Sequence, residues 1–130
     1  MTDFLRIGMR VEQVPVFLSE SVTGFNASLE YQELREYERE NPGVICGAFA
    51  KYLCRIAQEQ FAEGTDTPSI SSAHAAMDAM AASPSTAVQS LLTDEVFENL
   101  DCDIAVLESI RRNLRPNAAE LYAHWIARML

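Results

Sequence analysis

Apolar positions along this chain recur every three or four residues and alternating patterns are nearly absent, so the sequence reads as helical almost throughout. The clearest stretch is Val44–Phe61, where Ile45, Phe49, Tyr52, Leu53, Ile56 and Gln60 or Phe61 fall on one face. Lys51, Arg55 and Glu59 make the opposite stripe at i+4 spacing. Gly47 sits inside this helix at a cost of roughly 1 kcal/mol relative to alanine. That cost predicts close backbone packing against a neighbouring helix as its compensation.

Before it, Val14, Phe17 and Leu18 mark a helix over about Val11–Ser19, with Pro15 moving the start toward Val14. A second helix is expected from Asn26 or Ser28 to Glu40. Leu29, Leu34 and Tyr37 form its buried side, and Glu30, Glu33, Arg35, Glu36 and Arg39 are solvated. Asn41-Pro42-Gly43 then ends it. After it, Glu63–Ser69 is the most mobile connection. Thr67-Pro68 and Ser83-Pro84 each pair a hydroxyl cap with proline at the first helical position. They predict helices over about Ser69–Ala82, with Ile70, Ala73, Met77 and Met80 inward, and over Pro84–Leu92. Thr93 reads as another cap, and Asp94 and Glu95 favour a helix start that runs to Leu100 or Asp101. Helices over Ile104–Asn113 and from Pro116 onward complete the chain, the last with Leu121, Tyr122, Trp125, Ile126 and Met129 on a broad apolar face.

The expected fold is all-α, an irregular bundle of about seven or eight short helices in a single domain spanning residues 1–130. Its predicted core is Phe49, Tyr52, Leu53, Ile56, Leu100, Leu107, Leu121 and Trp125. Neither a regular repeat nor a sustained heptad is present. A chain of 130 residues can bury roughly two thirds of its unfolded surface. Its 48% apolar and 22% charged residues suit a globular protein. No apolar run approaches the ~18 residues of a membrane span. The opening Met1-Thr-Asp-Phe-Leu-Arg lacks the basic and apolar regions of a secretory signal, so a cytoplasmic protein is expected.

Charge changes the picture more than composition does. The net charge is -9, and between Arg55 and Arg111 ten carboxylates occur without one lysine or arginine. Six of them, Asp94, Glu95, Glu98, Asp101, Asp103 and Glu108, crowd into one segment. A field of one sign repels nucleic acid and anionic membrane and attracts basic surfaces. On an ideal helix Asp94, Glu98 and Asp101 stand within about 60° of each other, with Phe97, Leu100 and Ile104 opposite. These six carboxylates are the candidate partner-binding residues. The alternative is a solvated face in an acidic protein.

Candidate chemistry is otherwise sparse. Cys46, Cys54 and Cys102 are odd in number and have no C-x-x-C spacing, which predicts reduced, buried, structural thiols. His74 and His124 fall on polar stripes, each four residues from a charged side chain, where a solvated histidine or a modest i, i+4 pair explains them. The serines Ser69, Ser71, Ser72, Ser83, Ser85 and Ser90 lie mostly near helix starts, where capping explains them. Asp101-Cys102-Asp103 lacks the glycine and the bidentate glutamate of a calcium loop, and Glu95 and Glu98 lack the histidine of a di-iron motif. No catalytic residue, metal site or cofactor is expected, and the chain reads as a non-enzyme.

Gly47-Ala-Phe-Ala-Lys-Tyr-Leu53, Ala76-Met-Asp-Ala-Met80, Glu95-Val-Phe-Glu-Asn-Leu100 and the closing helix with Trp125 are packing patterns on successive helices. With them the chain, over roughly residues 25–130, resembles small helical immunity proteins of bacterial polymorphic and contact-dependent growth-inhibition toxin systems. Met1–Leu18 has no counterpart there. The resemblance implies a protein without catalysis that binds and occludes a cognate toxin domain, many of which are basic nucleases. An adaptor or regulatory protein with a basic protein partner would carry the same charge and remains the alternative.

Overall fold

Helix formation in the first segment starts where Pro15 permits it. The structure, a computed structural model, describes residues 8–63 and 67–129. A 3₁₀ turn over Val11–Gln13 leads into α1 (Val14–Ser21), with Pro15 in the first turn, where its missing N–H would have no partner anyway. Val14, Phe17 and Leu18 are buried, as their spacing predicts. Gly24 then takes a left-handed conformation at φ 83°. A Cβ there would lie 2.7 Å from the Tyr52 hydroxyl, which donates to the Thr23 carbonyl at 2.7 Å. Only glycine satisfies both the backbone angle and that approach.

The segment expected as one helix to Glu40 is broken instead. It consists of a 3₁₀ turn over Phe25–Ala27, α2 (Leu29–Gln32) and α3 (Glu36–Arg39). Ser28 caps α2 by accepting from the Tyr31 N–H at 3.2 Å. The Arg35 N–H donates to the Glu38 carboxylate at 2.8 Å, which restarts the helix out of phase with α2. The predicted buried side therefore holds only at Leu34, which packs half-buried against the core, while Leu29 is 67% and Tyr37 66% exposed. Phe25 takes their place, fully buried against Tyr31, Phe49 and Tyr52 with ring centroids 5.4–5.9 Å apart.

The preceding helix does end ahead of Asn41, at Arg39, but Pro42 and Gly43 already belong to the next helix rather than to a turn. The Asn41 side chain accepts from the Val44 N–H at 3.1 Å, and Pro42 opens α4 (Pro42–Glu63). This helix of about 33 Å is the axis of the fold, and its Ile45, Phe49, Tyr52, Leu53 and Ile56 are buried as predicted, whereas Phe61 is exposed. Residues 64–66 in the connection expected to be mobile lie outside the described residues, as does the opening Met1–Arg6. Thr67 caps α5 (Pro68–Ala81), and Ile70, Ala73, Met77 and Met80 all face inward.

Beyond α5 the predicted starts shift. Ser83 does not cap; it is buried and donates to the Met9 carbonyl at 2.6 Å. Ser85 caps α6 (Thr86–Ser90) by accepting from the Val88 N–H. The chain does not restart at Thr93 but continues without a break, as a π-helix over Leu91–Val96 and a 3₁₀ turn over Phe97–Asn99. Thr93 is buried inside it, its hydroxyl 3.3 Å from the Ser90 carbonyl. After a non-helical link come α7 (Ile104–Arg112) and α8 (Pro116–Met129). Asp78 of α5 caps α8 across the fold, accepting from the Asn117 N–H at 2.8 Å and the Ala118 N–H at 3.0 Å. Phe97, Tyr122 and Trp125 stack at 5.1–5.8 Å to hold α8 on the π segment.

The architecture is thus all-α, an irregular bundle of eight α-helices among the described residues. Of the predicted core, Leu100, Leu107, Leu121 and Trp125 are only half-buried, because α7 and α8 lie on the outside of α4 and α5. No described helix is long and apolar enough to cross a membrane.

Candidate acidic groove

An open groove of about 1200 Å³ runs along one side of α4. Its floor is a single face of that helix, formed by Gly43, Val44, Gly47, Ala48 and Lys51 at helical spacing. One wall comes from the α2–α3 segment with Glu30, Glu33, Leu34 and Glu38. The other is the end of the π-helix and the turn leaving it, with Glu95, Glu98, Asn99, Leu100 and Asp101. Six carboxylates line the groove, and Lys51 is the one basic side chain among its described lining residues.

Gly47 corrects the expectation of close helix packing. A Cβ built there would meet nothing within 4 Å, so the residue is not compensated by a neighbour; it faces the groove. A Cβ on Gly43, one turn earlier, would sit 3.8 Å from the Glu95 carboxylate. That places Glu95 beside the first turn of α4, where the helix dipole favours negative charge. The same carboxylate, together with burial as the larger cause, pushes the Cys46 thiol up to about 12.

Glu30 differs from the other carboxylates of the groove. The Arg55 guanidinium grips it through Nε at 2.8 Å and Nη2 at 3.1 Å, and that hydrogen bonding holds its carboxyl below the usual carboxylate range. Burial opposes the shift but is the smaller effect. Arg55 is raised in turn and also reaches Glu59 at 3.3 Å. Nearby Arg39 offers the groove little, because its guanidinium lies 4.6 Å over the Tyr31 ring.

Compared with protein-family models, curated proteins and solved structures, the chain shows no match.

The structure divides the six predicted partner-binding carboxylates. Glu95, Glu98 and Asp101 line the groove together. Asp94 is exposed and lies outside the lining, its carboxylate 3.1 Å from the Thr93 hydroxyl. Asp103 faces a smaller hollow with Arg55, Cys54 and Cys102. Glu108 is paired with Arg111 at 2.6 Å, which lowers its carboxyl and compensates its charge locally. The predicted stripe of Asp94, Glu98 and Asp101 is not formed. The wider i→i+5 winding of the π-helix displaces the alignment that 3.6-residue spacing gives, and Asp101 lies beyond the last helical turn. Ile104, predicted inward, is 80% exposed.

Glu30, Glu33 and Glu38 were not anticipated at the site. In sequence they stand among Arg35 and Arg39, and the segment reads as a balanced, solvated face. The available signal was the pair Gly43 and Gly47, four residues apart on the best helix of the chain, which marks a face with no side chains to fill it. The histidines also separate: His124 is exposed, but His74 is buried on α5 rather than solvated. Among the described residues no three His, Cys, Asp or Glu side chains converge as metal ligands.

Proposed function

We propose that this protein is an immunity-type inhibitor, which seats a basic element of a cognate toxin domain in the groove beside α4 and thereby occludes that toxin. The observation that carries the reading is the groove: six carboxylates, of which Glu30 is held by Arg55, against one lining lysine, drawn from two segments more than 50 residues apart in sequence and set over a floor opened by Gly43 and Gly47. Carboxylates on facing walls suit the long cationic side chains of a basic helix or loop. The glycine floor lets the backbone of such an element approach α4. Val44 and Leu34 supply apolar contact along their stems. Long-range attraction speeds encounter, and the pairs that lose water on binding slow dissociation.

The test is charge reversal on both walls. Glu33→Lys combined with Glu98→Lys is compared with Glu36→Lys combined with Glu120→Lys, two exposed carboxylates that do not line the groove. Binding of the cognate toxin domain, recovered by co-purification with the tagged chain, is followed by surface plasmon resonance at low and physiological salt. The groove variant should lose at least about tenfold in affinity. The control should stay near wild type, and helical circular dichroism should be unchanged in both. Salt should slow association, since exposed charges are screened beyond about 8 Å at physiological ionic strength. Equal losses in both variants, or none in the groove variant, would place the interface elsewhere. Binding without protection of toxin-expressing cells would support the adaptor instead.

A further inference from the structure

Cys54 on α4 and Cys102 in the link before α7 are 48 residues apart in sequence, yet their sulfurs lie 2.7 Å from each other. Non-bonded heavy atoms usually pack at roughly 3.5–4 Å, while a disulfide needs about 2.05 Å. A movement of well under 1 Å separates the two thiols from a bond. Neither is sealed in the core: both are half-buried and line the hollow that also contains Arg55, Asp101 and Asp103. Cys46, by contrast, is fully buried two turns away on α4.

We propose that Cys54 and Cys102 are a disulfide-forming pair, and that their bond ties the Leu100–Asp103 rim of the groove to α4. With hydrogen peroxide the first thiol gives a sulfenic acid and one water. The second sulfur then attacks the sulfenic sulfur, the S–S bond forms and a second water leaves. Two electrons pass from the thiols to peroxide, and both thiol protons end in water. Oxidised glutathione achieves the same by two exchanges that release two reduced glutathiones. Burial, followed by the contact with Cys102, pushes the Cys54 thiol well up. Cys54 therefore supplies little thiolate at neutral pH. The bond closes a loop of about 50 residues, a length at which the loss of unfolded-chain entropy is large.

The experiment oxidises the full chain with glutathione disulfide, quenches with acid and counts thiols in denaturant. Reactive thiols should fall from three to one, the intact mass should drop by two hydrogen atoms, and peptide mapping should join Cys54 to Cys102. Melting temperature should rise by roughly 10 °C and return on adding dithiothreitol. Cys102→Ser should abolish the rise, and Cys46→Ser should keep it. Mapping on the unaltered chain decides the matter even where a variant folds poorly. Three thiols that persist, a cross-link that includes Cys46 or a bond between two chains would overturn the assignment.

Discussion

Gly47→Ala isolates the physical claim beneath the groove. Glycine within a helix is destabilising by roughly 0.5–1 kcal/mol relative to alanine, because its unfolded backbone has more conformations to lose. Normally such a glycine is retained because a methyl group would collide with something. Here an added Cβ finds no atom within 4 Å, so nothing offsets the gain. The substitution should therefore stabilise the fold by about 0.5–1 kcal/mol. With a denaturant slope of about 2 kcal/mol/M, that moves the urea midpoint up by about 0.3–0.5 M, and the melting temperature by about 2–4 °C. Unfolding is followed by circular dichroism at the helical minimum, with the slope checked for constancy between variants. A midpoint that falls would mean that Gly47 is packed against a neighbour, as the sequence alone suggests, and the groove floor would be closed rather than open.

Two further outcomes follow from caps and charges. Asp78→Ala removes a carboxylate that caps α8 from α5, and should cost about 1–2 kcal/mol. Amide exchange at Asn117 and Ala118 should rise most, so uniform acceleration along the chain would refute a local cap. The Glu30–Arg55 pair should add about 0.5–1 kcal/mol at neutral pH, the discounted value for a partly exposed pair. Because the Glu30 carboxyl is lowered from its ordinary 4.5, that contribution is present above this pH and is lost as pH falls through the lower folded value. The melting-temperature difference between the unaltered chain and Glu30→Gln should shrink over that window. A difference that stays constant down to pH 3 would show that the pair contributes through packing, not charge.

Local patterns carried most of the helical content. The period along Val44–Phe61, the Thr67-Pro68 start and the inward row Ile70, Ala73, Met77 and Met80 are properties of neighbouring residues, so the sequence by itself determined the all-α class and the two helices at its centre. The concentration of negative charge was equally legible, since it needs no coordinates. Tertiary structure alone decided the site. The helix expected over Asn26–Glu40 breaks because the Arg35 N–H finds the Glu38 carboxylate, and that break turns Glu30, Glu33 and Glu38 toward α4. The Asp94 stripe dissolves because an unbroken π-helix changes its register, which leaves Glu98 and Asp101 as the opposite wall. The meeting of Cys54 with Cys102 depends on how the link before α7 returns to α4. The first two changes are local, but the facing of the two walls and the meeting of the two cysteines join residues far apart in sequence. Helical period reports which residues share a face of one helix, but not which other segment that face will meet.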